Sequence, residues 1–151
     1  MNDTIHALLV SVDEVDAWER PHNFDYDGFW KELDALQPLI EQLLSEPLTY
    51  DRNVQDASFF TSLCSEPRMQ SEKYLQSDWC IRFSNFGRFF TLIGAVVDDP
   101  TRQDQQQKLI ALLELKGFRY LPEEDLSSPY DGVNPPYEDG LTWWIRYFDY
   151  L

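Results

Sequence analysis

Basic residues, histidines and glycines are scarce in this chain of 151 residues, which contains 12 Lys and Arg, 2 His and 6 Gly. With His6 and His22 as the only histidines, the sequence offers little of the commonest general base and metal ligand. It has no glycine-rich phosphate loop, no nucleophile elbow and no paired Ser and His. We therefore expect no enzymatic activity, no metal site and no cofactor.

Long hydrophobic runs are also missing. The longest candidate, Phe89–Val97, is interrupted by Thr91 and Gly94 and is too short to cross a bilayer as a helix. The start of the chain lacks the positive charge of a signal peptide, and its apolar run Ala7–Val10 is far shorter than a signal peptide requires. These features predict a protein without a membrane segment.

The chain has only two cysteines, Cys64 and Cys80, and each lies beside apolar residues. Such a setting is typical of a thiol that packs as a small buried hydrophobe. Disulfide frameworks are expected in short secreted chains that cannot build a core, whereas this chain is long and aromatic. We therefore expect both thiols to be reduced and the location to be cytoplasmic.

Acidic residues, in contrast, are abundant: 27 Asp and Glu give a formal net charge of −15. The 43% of hydrophobic and 15% of aromatic residues suffice for a core, so the sequence predicts a single folded domain over residues 1–151 with an acidic surface. Nucleic acids and anionic membranes attract basic patches. We therefore expect no direct binding to either, and a basic protein as partner.

The excess acid lies at the two ends of the chain. Residues 1–51 hold 12 acidic and 2 basic residues, a net charge of −10, and residues 120–151 hold 7 and 1, a net charge of −6. Residues 52–119 hold 8 and 9, a net charge of +1. If folding brings the two ends to one surface, their field would steer a cationic partner.

Two helices are predicted near the start. Apolar residues from Ile5 to Val15 recur at helical spacing, although partial alternation between His6 and Val12 leaves a strand as the alternative. A stronger helical stripe runs from Tyr26 to Leu44, and Pro38 within it predicts a kink or a break into two helices. A shorter helix is predicted over Asp56–Cys64, followed by a loop or a further helical turn.

The remainder is predicted to be mostly sheet. Trp79–Val97 is typical of a hairpin whose second strand is central, and a helix is expected from Thr101 to Lys116. Phe118–Leu121 and the closing tract Leu141–Leu151 are predicted strands. The sequence thus predicts an α+β domain in which N-terminal helices pack on a mostly antiparallel sheet with one interposed helix.

Two motifs have both a functional and a structural interpretation. Asn23–Gly28 with Asp34 resembles an EF-hand calcium loop, but the helical stripe already begins at Phe29, so an acidic N-cap is favoured. Four arginines in or beside predicted strands could form an anion site, but pairing with carboxylates is favoured by the excess of acid. They are Arg82, Arg88, Arg119 and Arg146.

The segment Leu121–Gly140 is the predicted partner-binding region, because it combines acids and tyrosines on a backbone restricted by prolines. The candidate partner-binding residues are Glu123, Glu124, Asp125, Tyr130, Asp131, Tyr137, Glu138 and Asp139. A solvated connection is the alternative interpretation, although long loops in compact domains are often functional.

In size, acidity and aromatic content the chain resembles, as a class, the bacterial immunity proteins that neutralise polymorphic or contact-dependent toxins. Ile81–Arg88 and Trp143–Tyr150 are distinctive tracts, but neither aligns with a family motif. The resemblance implies an inhibitor that binds a cationic toxin domain through acidic and tyrosine side chains. The alternatives are a nucleic-acid-mimicking inhibitor, a non-enzymatic regulatory adaptor and a small enzyme that uses carboxylates.

Overall fold

A computed structural model of the chain describes residues 1–50, 60–71, 74–94, 99–136 and 139–149. The first element is a helix, α1 (Asp3–Ser11). Asn2 caps it, because its Oδ1 accepts hydrogen bonds from the backbone N–H groups of Thr4 and Ile5 at 2.8 and 3.2 Å. The helix is therefore the correct one of the two interpretations of this segment.

The second helix, α2 (Tyr26–Leu44), follows the predicted stripe. Its buried residues are Phe29, Leu33, Leu36, Ile40 and Leu44. Pro38 lies inside the helix on its exposed side and does not divide it, so the predicted break into two helices is wrong. Packing of the apolar stripe offsets the hydrogen bond that proline cannot donate.

The main sheet has five strands in the order β1-β2-β5-β6-β7. They are β1 (Leu48–Tyr50), β2 (Phe60–Ser65), β5 (Cys80–Ser84), β6 (Phe89–Leu92) and β7 (Arg119–Tyr120). Neighbouring strands are antiparallel except β6 and β7, which are parallel. The predicted hairpin and its central second strand are confirmed, since β6 lies between β5 and β7 and is buried throughout.

The helix predicted over Asp56–Cys64 is wrong where the structure describes it, because residues 60–64 belong to β2. Residues 56–59 lie outside the described residues. Phe60, Thr61, Ser62 and Leu63 are all buried, as in a strand covered on both faces, and a short apolar run of this kind does not distinguish strand from helix. The following segment, expected to be a loop or a helical turn, forms a second sheet of β3 (Arg68–Ser71) and β4 (Tyr74–Gln76).

Cys64 and Cys80 lie directly opposite each other in β2 and β5 and are joined by a disulfide with an S–S distance of 2.06 Å. The expectation of two reduced thiols is therefore wrong. The sequence does not reveal this pairing, because the helix predicted over Asp56–Cys64 places the two cysteines in unrelated elements. Disulfides are typical of oxidising compartments, so the cysteines no longer support a cytoplasmic location.

Three helices follow or flank the last strands. They are α3 (Pro100–Leu115), α4 (Glu123–Leu126) and α5 (Trp143–Phe148). The interposed helix α3 is confirmed, with Asp99 as its cap and Gly117 at φ +85° just after its end. The strand predicted for Leu141–Leu151 is wrong over its described part, because residues 143–148 form α5 with Thr142 as its cap.

Two hydrophobic clusters cover opposite faces of the main sheet. The first contains the buried residues of α2 and α3 together with Ile81, Phe83 and Phe90. The second contains Phe89 with residues of α1, α4 and α5. Phe89 and Phe90 are neighbours in β6, and successive strand residues point to opposite faces. The α+β class with a mostly antiparallel sheet is confirmed.

Candidate functional site

The two acidic ends of the chain pack against each other through a buried ion pair. Arg146 of α5 donates from Nε and Nη2 to Oδ1 of Asp13, at 3.0 and 2.7 Å, and neither side chain is exposed to solvent. Asp13 follows the end of α1, so this pair joins the first and last helices of the described chain. A buried charge pair is stable only when its remaining polar atoms are also bonded.

Arg146 satisfies that condition, since it also donates to the carbonyl oxygens of Ala17 and Trp18 at 2.7 and 2.9 Å. Its guanidinium lies 4.4 Å from the ring centroid of Phe86 and 5.0 Å from that of Tyr147. Charge, hydrogen bonding and aromatic contact thus all fix this side chain. The arginine is part of the core and is not available to an anionic ligand.

Both oxygens of the Asp13 carboxylate also accept further hydrogen bonds. Its Oδ2 accepts from the hydroxyl of Tyr130 and from the backbone N–H of Val133 at 2.9 Å, and Asn134 Nδ2 lies 3.3 Å from Oδ1. Asn134 also donates to the carbonyl of Glu14 at 2.8 Å and accepts from the N–H of Asp16 at 2.7 Å. These bonds hold residues 13–16 beside residues 130–134.

Tyr130 is therefore a buried structural residue, with 8% of its surface exposed, and the expectation of an exposed tyrosine here is wrong. Burial and the hydrogen bond to Asp13 raise the pKa of its phenol above the ordinary 10.0. The sequence signal was misleading because tyrosine in a proline-containing acidic tract is typical of a surface. Here the ring packs 4.7 Å from that of Trp143, measured between centroids.

The first three predicted site residues lie together in α4. Glu123 and Glu124 are exposed, and Asp125 is partly buried with its Oδ1 3.9 Å from the amino group of Met1. The charges of Glu124 and Glu123, after burial, contribute to raising the pKa of the Tyr120 phenol. This short helix thus presents two carboxylates to solvent beside the start of α1.

Asp131 and Asp139 are both exposed, as predicted. Asp131 contacts His6 of α1, whose Nε2 lies 2.8 Å from Oδ1. Tyr137 and Glu138 lie outside the described residues. Residues 130 and 141 are held together, because the Tyr130 N–H donates to the carbonyl of Leu141 at 2.9 Å.

The other arginines of the sheet do not form an anion site with Arg146. Arg88 donates to both carboxylate oxygens of Glu32, at 2.9 and 2.6 Å, and this bond raises the pKa of its guanidinium. Arg82 donates to the carbonyl of Phe148 at 2.6 Å, and Arg119 is exposed in β7. Pairing with carboxylates is confirmed for Arg88 and Arg146.

The segment that resembles a calcium loop is the N-terminus of α2. Asp25 is the cap residue, and its Oδ1 accepts from the N–H of Gly28 at 2.9 Å. The N-cap interpretation is therefore confirmed for Asp25. Within the described part of the chain, no group of three His, Cys, Asp or Glu side chains is arranged to hold a metal ion.

Two hollows adjoin the segment that follows α1 and share Pro21 in their walls. The larger, of about 500 Å³, lies between the start of α2 and the β5–β6 turn, where Glu32 is already bonded to Arg88. The smaller, of about 370 Å³, is lined by residues 16–22. Only the smaller one opens beside the contact between the two ends of the chain.

Sequence reasoning missed Asp13, Asn134 and Arg146 as partners. Asp13 and Arg146 are separated by 133 residues, and a chain with 27 acidic residues offers no way to choose the partner of one arginine. The available signal was that Arg146 stands within an otherwise aromatic tract, a position where arginine needs a buried acceptor.

No family model, curated protein or solved structure matches this chain. Among the residues that the structure describes, no helix has the length and apolar character needed to cross a membrane.

Proposed function

We propose that this chain is an inhibitor of the immunity-protein type, which binds and neutralises a cationic toxin domain through the acidic surface where its two ends meet. The observation that carries the proposal is the contact between those ends. Asp13 bonds to Arg146 and Val133, and His6 bonds to Asp131. Residues that are far apart in sequence thereby contribute to one surface.

The charge of that surface is strongly one-sided. Residues 1–20 contain 5 acidic residues and one basic residue, Arg20, and residues 121–149 contain 7 acidic residues and one basic residue, Arg146. Arg146 is fully buried against Asp13, so neither charge of this pair adds to the surface. Exposed acids of this region are Asp3, Asp16, Glu19, Glu123, Glu124, Asp131 and Asp139. A field of one sign favours rapid association with a cationic partner.

The surface is also held rigidly, which reduces the entropy that binding costs. The bonds of Asn134 to residues 14 and 16 fix the loop after α1, and Asp13 fixes the loop at Val133. A rigid acidic surface suits blocking of a basic active site.

The test begins with capture of the partner by the tagged full chain in its native host. The captured protein is then expressed alone and together with this chain, and growth is measured. We expect a basic protein that arrests growth alone and is harmless in the complex. Binding should weaken as salt rises, because screening reduces the attraction between exposed charges.

Charge reversal at two acids of this surface tests the proposal, and charge reversal at an acid elsewhere is the matched control. Glu123→Lys with Glu124→Lys should lower affinity for the captured domain by at least about tenfold, or about 1.4 kcal/mol. Glu114→Lys, at an exposed acid of α3 on the opposite side of the sheet, should leave the affinity unchanged. A stoichiometric partner that is acidic and harmless would contradict the proposal.

A further inference from the structure

Two valines are exposed at the contact between the ends of the chain. Val15 and Val133 have 60% and 47% of their surface exposed, although each belongs to a segment fixed by partly buried hydrogen bonds. Asn134 bonds to the residues on both sides of Val15, and the N–H of Val133 bonds to Asp13. The two apolar side chains are therefore carried on adjoining, rigid segments and not on loose loops.

A hollow of about 370 Å³ is lined by residues 16–22, the segment that follows Val15 in the chain. Its lining includes Asp16, Trp18 and Glu19. His22 also lines it, and its Nε2 lies 2.9 Å from the carbonyl oxygen of Val15 while its backbone N–H donates to Glu14 at 2.8 Å. The contact of His22 with Val15 therefore places the hollow next to the backbone of Val15.

The exposed valines and the acidic residues beside them give this patch an apolar centre and a charged rim, the arrangement found in protein interfaces. The lining contains two carboxylate residues, Asp16 and Glu19, against one guanidinium, Arg20, so the acidic residues are in excess. Asp131 adds a further exposed carboxylate on the Val133 side. Charge complementarity therefore favours a cationic side chain as the occupant of the hollow.

We propose that Val15 and Val133 form the centre of the docking surface for the cationic partner, and that the adjoining hollow receives one of its arginine or lysine side chains between Asp16 and Glu19. This inference rests on the proposed function and specifies where the partner binds. It places the centre of binding at the contact of the two ends, with Glu123 and Glu124 of α4 in a peripheral, steering position.

The probe for the hollow is hexa-arginine peptide, titrated into the isotopically labelled full chain at low ionic strength and followed by amide chemical shifts. Shifts should concentrate in residues 15–22 and 131–134. Asp16→Asn should lower the affinity about fivefold, the size expected for loss of one exposed ion pair. Asparagine tolerates the positive φ of 59° at this position as aspartate does, so folding is preserved.

Arg20→Ala should change the affinity for hexa-arginine in the direction opposite to Asp16→Asn. Removing this positive charge from the lining should raise the affinity for hexa-arginine, which a general loss of folding cannot do. Glu114→Gln is the matched control for Asp16→Asn, because Glu114 is an exposed acid on α3. It should leave both the affinity and the pattern of shifts unchanged.

The apolar centre is tested with the captured partner domain. Val15→Ser should weaken that complex about tenfold or more, whereas Leu115→Ser, at a leucine of α3 with 84% exposure, should not change it. Shifts confined to Glu123 and Glu124, no binding of hexa-arginine, or equal effects of the two serine variants would overturn the inference. The proposed function survives the first of these results, and it fails separately if the captured partner is not cationic.

Discussion

The two faces of the main sheet are packed by different chemistry. Against α2 and α3 lies a buried hydrophobic cluster whose helices are long and regular. Against α1, α4 and α5 the apolar cluster surrounds a buried ion pair, Asp13 with Arg146, and the helices are short. Both faces are stabilised by area removed from water, and the second depends in addition on a few specific bonds.

Because of this difference, we link the first face mainly to the stability of the fold and the second face to the recognition of a partner. The first face is a stable platform whose helices each bury a stripe of their own. The second face joins segments from both ends of the chain, and its outer surface carries the exposed acids and the exposed Val15 and Val133. A surface assembled from distant segments keeps its shape only while the bonds beneath it are intact.

The largest effect should come from breaking the ion pair beneath that surface. Arg146→Met leaves the Asp13 carboxylate buried without its partner and should lower the free energy of unfolding by about 3–5 kcal/mol. Arg88→Met on the first face removes a pair whose side chains are 44% and 36% exposed, and should cost about 1 kcal/mol or less. Urea titration of both variants measures the contrast.

Similar losses in the two variants would contradict the division of the molecule into an apolar face and a bonded face. If Arg146→Met is too unstable for a titration, hydrogen exchange of the Arg88→Met variant and the unchanged protein still reports the smaller effect. Soluble yield and thermal unfolding of Arg146→Met then give the larger one.

A second large effect should come from the disulfide, which belongs to the sheet that both faces share. Cys64 and Cys80 are separated by 16 positions in the sequence, a distance for which loop closure predicts about 3 kcal/mol of stabilisation. Substituting both by serine should lower the stability of the two faces together, as amide exchange would show. Titratable thiols in the unfolded, unreduced protein would contradict the disulfide itself.

The same contrast explains what the sequence could predict. The helix α2 was predictable because Phe29, Leu33 and Ile40 repeat at helical spacing on a polar background. The β5–β6 hairpin was predictable because its alternation is interrupted by residues that tolerate a turn, and Gly87 there has φ +59°. Both signals come from residues that are close together in the sequence, so they can be recognised without knowledge of the tertiary structure.

The local signal of the second face is weaker, because the pattern of α1 leaves a strand open as the alternative. In α5 almost every side is apolar, so Trp143, Tyr147 and Phe148 satisfy a strand pattern as well as a helical one. Tyr130 looked exposed because its partner Asp13 lies 117 residues away. The candidate surface was therefore predicted by charge alone, and the particular residues at its centre, Val15 and Val133, required the fold.

The smallest expected effect is a loss of stability at alkaline pH, which arises from a tyrosine on the second face. Burial, and then the charge of Asp13, raise the pKa of Tyr147 on the second face above the ordinary 10.0. The unfolded chain loses this proton near pH 10 while the folded chain keeps it, so stability is complete below pH 10 and falls as the pH rises further.

Tyr147→Phe should make this fall less steep, although the loss of the 2.8 Å hydrogen bond from its hydroxyl to the carbonyl of Leu9 lowers stability at every pH. The slope of the free energy of unfolding between pH 9.5 and 11, about half a unit below and one unit above the ordinary value, is therefore the measurement. Tyr26→Phe, at a tyrosine with 48% exposure, is the control and should leave the slope unchanged. Equal slopes in both variants would mean that Tyr147 titrates alike in the folded and unfolded chains, and the second face would then be more open to water than its packing indicates.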